Sequence, residues 1–170
     1  MDDLAQDFDV VIVGAGGAGL IAAVEAAESG ARVLVIEKGS EIGGITATSI
    51  GSITVSGSPF QVKAGIPDDT AEAHFRDLLK LVEGNESQFN LDASRLVPEL
   101  GREALSRLME LGVEFSGVRP EPPHSAFRMH NVVPSSRSYI DVLSRNCLQR
   151  GVTIRKETTI GSINRDPHRG

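Results

Sequence analysis

Residues 9–20 read DVVIVGAGGAGL, a short apolar run that ends abruptly in a cluster of glycines. Gly14, Gly16 and Gly19 have the spacing G-x-G-x-x-G, and Gly17 lies between them. Glycine loses more conformational entropy on folding than any other residue, so a cluster this dense needs a physical reason. It indicates that some group comes too close to this backbone for side chains to fit.

A βαβ unit surrounds the glycines. Phe8 to Val13 is a β-branched apolar run typical of a buried strand, and the alanine-rich stretch from Gly17 to Ser29 is typical of a helix that stops at Gly30. The next apolar run, RVLVI at residues 32–36, predicts a second strand. Because a helix joins them, the two strands are parallel, and we expect an α/β fold with a parallel sheet flanked by helices.

The first turn of such a unit is a site for a diphosphate, because it combines free amides with the positive end of a helix dipole. The spacing assigns Gly14 to the tight turn, Gly16 to the approach of phosphate oxygens and Gly19 to close helix packing. Glu37 ends the second strand, where its carboxylate can bind both ribose hydroxyls and repel a 2′-phosphate. Together these features predict a dinucleotide with its pyrophosphate bound by Gly14, Gly16, Gly17, Ala18 and Gly19.

The next part of the chain predicts a loop and then helices. Residues 38–65 are rich in Gly, Ser and Thr, which predicts a loop with one short strand from Ile50 to Val55. A helix capped by Asp68 or Asp69 follows, with Ala71, Phe75, Leu78, Leu79 and Val82 on one face. A second helix begins near Asp92, is interrupted or restarted at Pro98, and ends at Gly112.

The last third begins with a proline-rich stretch, residues 116–136, that predicts an irregular connection. A third helix is expected from about Arg137 to Arg150, with Cys147 on its apolar stripe. The runs VTIRKE and TTIGSIN, within residues 152–164, predict two further strands.

Composition limits the possible partners and compartments. The net charge of −6 argues against nucleic acid as the main partner, and the single cysteine excludes an internal disulfide. The apolar stretch from Val10 to Val24 is too short and glycine-rich to span a bilayer, and acidic residues precede it. No paired-cysteine or His-x-x-His spacing predicts a metal site. We therefore expect one domain, residues 1–170, with a cytoplasmic location and no membrane span.

The segment EKGSEIGGITATSIGSI, residues 37–53, favours FAD over NAD. Here the chain resembles flavoproteins of the glutathione-reductase-like class, in particular the succinate dehydrogenase/fumarate reductase flavoprotein family, which includes 3-ketosteroid dehydrogenases and L-aspartate oxidases. The resemblance rests on residues 10–38 and 43–53, and more loosely on LMELGVEF and VLSRNCLQRGVTI. It implies FAD as cofactor and a Rossmann-like FAD-binding domain of the glutathione-reductase type, incomplete relative to the full family fold.

The resemblance also implies site residues in the loop that wraps the flavin. Covalently flavinylated relatives carry a histidine at the position that matches Ile45, so we expect FAD to be non-covalent here. Relatives often have a second glycine after Gly51, where this chain has Ser52. The residue matched to an adenine contact is Ile160, after a strand beside that of Glu37. The further contacts implied are Lys38, Gly44, Ile45, Thr46, Ser49 and Gly51.

Family members place substrate-binding His and Arg residues and a proton-shuttling group in a cap domain and a C-terminal segment. The resemblance therefore implies an N-terminal FAD-binding portion, with catalytic residues beyond residue 170 and a small-molecule substrate. The whole enzyme would transfer a hydride next to a carbonyl or carboxylate. In the present chain, Arg128 and His130 are weak candidates for the active-site side, and His74 is interpreted as a surface residue.

Two alternatives stay open from the sequence. The chain could be a cofactor-binding module with no turnover of its own. It could also belong to another flavoenzyme class, an NAD(P)H-dependent reductase or a monooxygenase, although a second G-x-G-x-x-G is absent from the sequence. The sequence leaves the oligomeric state open.

Overall fold

The computed structural model describes residues 7–85 and 89–164. Contacts divide the chain into two compact units, one made of Met1–Ser49 with Tyr139–Gly170 and the other of Ile50–Ser138. The elements in chain order are β1 (Val10–Val13), α1 (Gly17–Glu28), β2 (Val33–Ile36), a 3₁₀ helix (Gly44–Thr48), β3 (Ser52–Thr54), α2 (Pro59–Lys63), α3 (Ala71–Val82), α4 (Leu91–Glu110), β4 (Glu114–Arg119), β5 (Met129–Val133), α5 (Arg137–Gln149) and β6 (Thr153–Arg155).

The first unit contains a three-stranded parallel sheet in the order β1-β2-β6. Val10 lies opposite Val33, and Leu34 lies opposite Thr153, so β2 is the central strand. Its first three residues are buried, as expected for a parallel strand covered on both faces. The predicted βαβ unit and the predicted parallel sheet with flanking helices are confirmed.

Two helices supply most of the remaining core of this unit. The buried residues of α1 are Leu20, Ala23 and Val24, and those of α5 include Leu143 and Cys147. The Cys147 thiol donates to the carbonyl oxygen of Leu20 at 3.4 Å, and burial raises the pKa of this thiol to about 11. Cys147 is therefore a packing residue, as the sequence predicts.

The chain after β6 differs from the prediction of a second strand there. Within the described residues 156–164 there is no strand. Instead the amides of Glu157 and Thr158 donate to the carbonyl oxygens of Gly39 and Glu37, at 3.0 and 2.9 Å. These bonds hold the segment beside the residues that follow β2 and replace the bonds of a sheet ladder.

The second unit is built on an antiparallel sheet in the order β3-β5-β4. Ser52 pairs with Asn131 and Glu114 with Val133, with a bulge between Phe115 and Val118. The prediction of an irregular connection over residues 116–136 is therefore wrong for the residues in β4 and β5, whereas residues 120–128 contain no helix or strand, as predicted. Proline content reports only on local structure, and the strands form because they pair with each other and with β3, which lies outside this stretch.

Two predictions about the helices of the second unit, the N-cap of α3 and the interruption of α4, are wrong. The N-cap of α3 is Thr70, whose side chain accepts the Ala73 amide at 3.1 Å, and not Asp68 or Asp69. Helix α4 runs without interruption through Pro98, which is buried inside it. Proline lacks an amide donor and its ring crowds the carbonyl four residues before it, so the uninterrupted helix is not what local propensity predicts.

A buried arginine organises this unit. Arg128 has no exposed surface, and its guanidinium donates to both carboxylate oxygens of Asp69 at 2.6 and 2.7 Å and to Asp77 at 2.5 Å. Burial opposes ionisation of Asp77, yet the hydrogen bonds from Lys80, Ser125 and Arg128 hold the pKa of its carboxyl well below the usual range. The guanidinium of Arg128 is thus used in ion pairs within this unit. The prediction that Arg128 is a candidate for the active-site side is corrected accordingly.

Two histidines are buried nearby, and His74 is not the surface residue that the sequence suggests. His130 Nε2 lies 2.7 Å from Ser58 Oγ, and its Nδ1 lies 2.6 Å from the Arg128 carbonyl oxygen, so its polar atoms are satisfied. Neither ring nitrogen of His74 has a hydrogen-bond partner among the described residues. Burial, together with the nearby Arg128 and His124, lowers the pKa of His74 to about 4.

We expect acid to destabilise the protein through His74. The unfolded imidazole titrates near pH 6.5, whereas the folded pKa is about 4. The unfolded state therefore binds more protons between these values, and stability falls as the pH falls through this window. Between pH 7.5 and pH 5 the contribution is about 2 kcal/mol. Denaturant unfolding of the protein and of His74→Phe at both pH values measures it.

The His74→Phe variant is the matched control because it removes the titrating group but keeps an aromatic ring. Its loss of stability between pH 7.5 and pH 5 should be smaller than that of the parent protein by this amount. Equal losses in the two proteins would show that His74 is not the origin of the acid sensitivity.

Candidate functional site

Gly14, in the turn between β1 and α1, and Gly19, in the first turn of α1, are glycines for structural reasons. Gly14 adopts φ +99°, a conformation that L side chains rarely adopt, and its amide donates to the Ile36 carbonyl at 2.7 Å. A β-carbon on Gly19 would lie 1.9 Å from the carbonyl oxygen of Gly14. Both glycines are therefore required by the backbone itself, and α1 begins directly at the end of β1.

Gly16 is different, because the fold does not require a glycine there. Its φ is −79°, and an added β-carbon would meet only the Gly43 carbonyl oxygen at an ordinary 3.8 Å. Gly16 is the N-cap of α1, with no side-chain cap. A glycine that neither packing nor backbone conformation demands fits a position where a ligand approaches the backbone.

The N-terminus of α1 retains donors for an anion. The amide of Gly17 donates to Thr46 Oγ1 at 3.2 Å. The amides of Ala18 and Gly19 have no acceptor among the residues that the structure describes. Free amides at a helix start, together with the helix dipole, bind phosphate groups. The part of the turn predicted for the pyrophosphate thus has the chemistry that a pyrophosphate needs.

Glu37 lies at the carboxyl end of β2, and its carboxylate is held by the backbone. Oε2 accepts the amide of Ala15 at 2.9 Å, and Oε1 accepts the amide of Gly39 at 2.8 Å. These amides lower the pKa of the Glu37 carboxyl, so the group is ionised at neutral pH. A carboxylate has about four lone-pair positions, so both oxygens can still accept a ribose hydroxyl. Lys38, which follows, is exposed.

The loop after β2 returns to the glycine-rich turn. The amide of Gly43 donates to the Ala15 carbonyl at 2.8 Å, and Gly43 adopts φ +120°. Gly44 then begins the 3₁₀ helix that carries Thr46. Ile45 is 86% exposed, and the Ser49 hydroxyl donates to the Thr46 carbonyl at 3.1 Å. The loop therefore places Gly44 and Thr46 at the start of α1.

Two predicted contacts lie outside this arrangement. Gly51 belongs to the second unit, where an added β-carbon would lie 2.6 Å from a Val132 side-chain carbon and 2.9 Å from Ser136 Cα. Packing within that unit is sufficient to explain this glycine. Ile160 is half-buried in the segment after β6. Its contact with adenine stays a prediction.

Sequence reasoning missed two features of the site. It did not predict that Glu37 binds the Ala15 amide, or that Thr46 covers the amide of Gly17. The contact between Thr46 and the Gly17 amide did leave a signal in the sequence, the glycine at position 17. A β-carbon there would lie 2.9 Å from Thr46 Oγ1, so the dense glycine cluster was an indication that another group lies close to this backbone.

A parallel βαβ unit with free amides at its first turn and an acid at the end of its second strand defines a dinucleotide-binding domain. Residues 9–169 match the family model described as an FAD binding domain, and the chain belongs to this family. Its cofactor is therefore FAD, and the free amides of α1 and the Glu37 carboxylate fit the diphosphate and ribose of that molecule.

Curated relatives are named as oxidoreductases. The chain is 31% identical over 165 residues to the NADH:fumarate oxidoreductase of Klebsiella pneumoniae (strain 342), covering 95% of this chain and 17% of the relative. It is 37% identical over 93 residues to the 3-oxosteroid 1-dehydrogenase of Rhodococcus opacus, covering 55% of this chain and 18% of the relative. The resemblance to the fumarate reductase and ketosteroid dehydrogenase family is confirmed.

A solved structure confirms the fold. The open conformation of a flavocytochrome c3 fumarate reductase aligns with a TM-score of 0.80 and 24% identity, covering 90% of this chain and 27% of that one. The chain thus spans 17% to 27% of the length of these relatives.

Among the helices in residues 7–85 and 89–164, none has the length and apolarity needed to cross a bilayer. In the same residues, no group of three or more His, Cys, Asp or Glu side chains is arranged to hold a metal ion.

Substitutions at two glycines should separate packing from ligand binding. We expect Gly19→Ala to lower the free energy of unfolding by several kcal/mol, because its β-carbon meets the Gly14 carbonyl. We expect Gly16→Ala to lower it by at most about 1 kcal/mol, the usual cost of alanine at an N-cap, yet to weaken FAD binding strongly. Denaturant unfolding and FAD titration of both variants measure these effects.

Gly16→Ala is the informative member of this pair because it leaves the fold intact. If it bound FAD as tightly as the parent protein, Gly16 would not face the ligand, and the assignment of the pyrophosphate to this turn would be wrong.

Proposed function

We propose that this chain is the FAD-binding part of a flavin-dependent oxidoreductase that transfers a hydride to or from a carbon next to a carbonyl or carboxylate. The observation that carries the proposal is the pair of free amides at the start of α1, beside a carboxylate at the end of β2. Relatives named as fumarate and steroid oxidoreductases support the reaction class.

Different residues of the chain bind different parts of the cofactor. The pyrophosphate is bound by Gly14, Gly16, Gly17, Ala18 and Gly19. Glu37 binds the adenosine ribose, Ile160 contacts the adenine, and Lys38 is a further cofactor contact. The flavin end is held by Gly44, Ile45, Thr46 and Ser49. When bound, FAD supplies the hydride chemistry, and the protein orients it.

The attachment of FAD is non-covalent in this proposal. Ile45 occupies the position at which flavinylated relatives carry a histidine, and an alkyl side chain cannot form a bond to the flavin. The side chain of Ile45 is largely exposed, so it is available to pack against a bound cofactor.

A second candidate is a cofactor-binding module without turnover of its own. The part of the curated oxidoreductases that this chain matches is 17% of one and 18% of another, and Arg128, a candidate for the active-site side, is used in buried ion pairs. In both cases we propose that residues 1–170 serve as the FAD-binding domain. A small-molecule substrate and a cytoplasmic location remain predictions of the same proposal.

The visible absorption spectrum of the purified protein, before and after acid precipitation, tests the proposal. We expect a flavin band that passes entirely into the supernatant, because FAD is bound without a covalent link. A band retained in the pellet would contradict the non-covalent assignment. A colourless protein that also fails to take up added FAD would contradict the proposed function.

We expect Glu37→Gln to weaken FAD binding by about tenfold or more, since hydrogen bonds to a charged acceptor contribute about 1.5–3 kcal/mol. The matched control is Glu41→Gln, an exposed acid four residues away. FAD titration followed by flavin fluorescence measures both. Equal affinities for the Glu37 and Glu41 variants would contradict ribose binding by Glu37.

A further inference from the structure

The second unit contains a cavity of about 260 Å³ between β3, α3 and the loop that follows β4. Its polar lining residues are Ser52, Thr54, Glu121 and His124, and the rest of its lining is apolar. None of these residues is among those assigned to FAD above. The cavity is therefore a feature that the proposed function leaves unexplained.

Glu121 brings an unused hydrogen-bond acceptor to this cavity. Its Oε2 is buried and has no hydrogen-bond partner among the residues that the structure describes. A buried carboxylate oxygen without a donor has lost its water and gained nothing in return, which is costly. Since Glu121 lines the cavity, a molecule bound there can supply the missing donor.

His124 brings a donor to the same place. Its Nδ1 lies 3.3 Å from Nη1 of Arg128, and a guanidinium can only donate, so Nδ1 accepts and the ring proton lies on Nε2. Oε2 of Glu121 is 3.9 Å from this Nε2, which is too far for a hydrogen bond. The side chain of His124 is only 4% exposed, so its Nε2 proton has little access to water.

The buried ion pairs of this unit hold the His124 ring in place. Arg128, which donates to Nδ1, is itself fixed by Asp69 and Asp77. The ring of His74 packs edge-to-face against that of His124, with 5.3 Å between the ring centroids. These contacts fix both the tautomer and the direction of the imidazole, so the donor is positioned before any ligand arrives.

We propose that this cavity binds a small molecule through a hydroxyl group, which donates to Oε2 of Glu121 and accepts from Nε2 of His124. An oxygen at an ordinary distance of about 2.8 Å from each atom fits, because the two atoms are 3.9 Å apart. A hydroxyl both donates and accepts, as this pair requires. A cation would leave the His124 proton without an acceptor, and an anion would face the like charge of Glu121.

The remaining lining defines the rest of the ligand. Leu78 and Leu81 lie on one face of α3, and two prolines follow Glu121, so the carbon skeleton of the ligand is apolar. Ser52 and Thr54 are two residues apart in β3, which places both hydroxyls on one face of the strand for a second polar group. The ligand class is a small alcohol with an apolar skeleton.

The test titrates the protein with three probes that share a six-membered ring. Cyclohexanol carries the hydroxyl, cyclohexanone carries an acceptor alone, and cyclohexylamine carries a cation. A ¹⁵N–¹H correlation spectrum follows each titration. The variants are Glu121→Met, which keeps the side-chain length without the acceptor, and His124→Phe, which keeps a ring without the donor. The matched control is Glu114→Met, at an exposed acid of β4.

We expect cyclohexanol to shift the amides of Ser52, Thr54, Glu121 and His124, with a dissociation constant of about 1 mM, as for a ligand of this size. Cyclohexanone and cyclohexylamine should bind about tenfold more weakly, because each makes only one of the two hydrogen bonds. Each site variant should weaken cyclohexanol by a similar factor, and the control should bind it as the parent protein does.

Loss of folding does not account for the effect expected of Glu121→Met. This change removes a buried acceptor that has no partner, so the midpoint of denaturant unfolding should stay the same or rise. A long-range ¹⁵N–¹H spectrum of the histidine rings should also show the proton of His124 on Nε2.

Four results would overturn the proposal. If cyclohexanol shifted none of these amides, the cavity would hold only water. If cyclohexanone bound as tightly as cyclohexanol, Glu121 would not accept from the ligand. If cyclohexylamine bound most tightly, this would be a cation site at Glu121. If Glu121→Met and His124→Phe both bound cyclohexanol as the parent protein does, the hydroxyl would lie elsewhere.

Discussion

The close approach of α1 to the end of β1 is the constraint on which the first unit depends. Only a residue without a side chain fits at Gly19, where an added β-carbon would lie 1.9 Å from the Gly14 carbonyl oxygen. Because the helix starts at the strand end, its free amides and its dipole point to the carboxyl edge of the sheet. The binding chemistry is therefore a consequence of how the helix packs.

Ala15 connects the parts of the site. Its amide donates to the Glu37 carboxylate at 2.9 Å, and its carbonyl accepts the amide of Gly43 at 2.8 Å. One buried residue after β1 is thereby joined to the end of β2 and to the loop that carries Thr46. A site held in this way before its ligand arrives loses less conformational entropy on binding. The Ala15 amide, with that of Gly39, also lowers the pKa of the Glu37 carboxyl.

The second unit is organised by a buried group of ion pairs. Its centre holds a fully buried arginine with two carboxylates rather than apolar packing alone. Removing one member of such a group leaves an uncompensated charge in the interior, which costs far more than the intact group contributes. The network joins Asp69, before α3, and Asp77, within it, to Arg128 at the start of β5. It therefore specifies how these segments come together.

The βαβ unit, the turn and the acid at the end of β2 could be predicted from the sequence, because each depends on spacing within about 30 residues. The antiparallel sheet and the burial of Arg128 and His74 could not, because they depend on contacts between distant parts of the chain. Arg128 lies 59 residues from Asp69 and 51 from Asp77, and no local pattern encodes that pairing. Likewise Thr46 meets Gly17 across 29 residues, through a loop whose path composition alone does not specify.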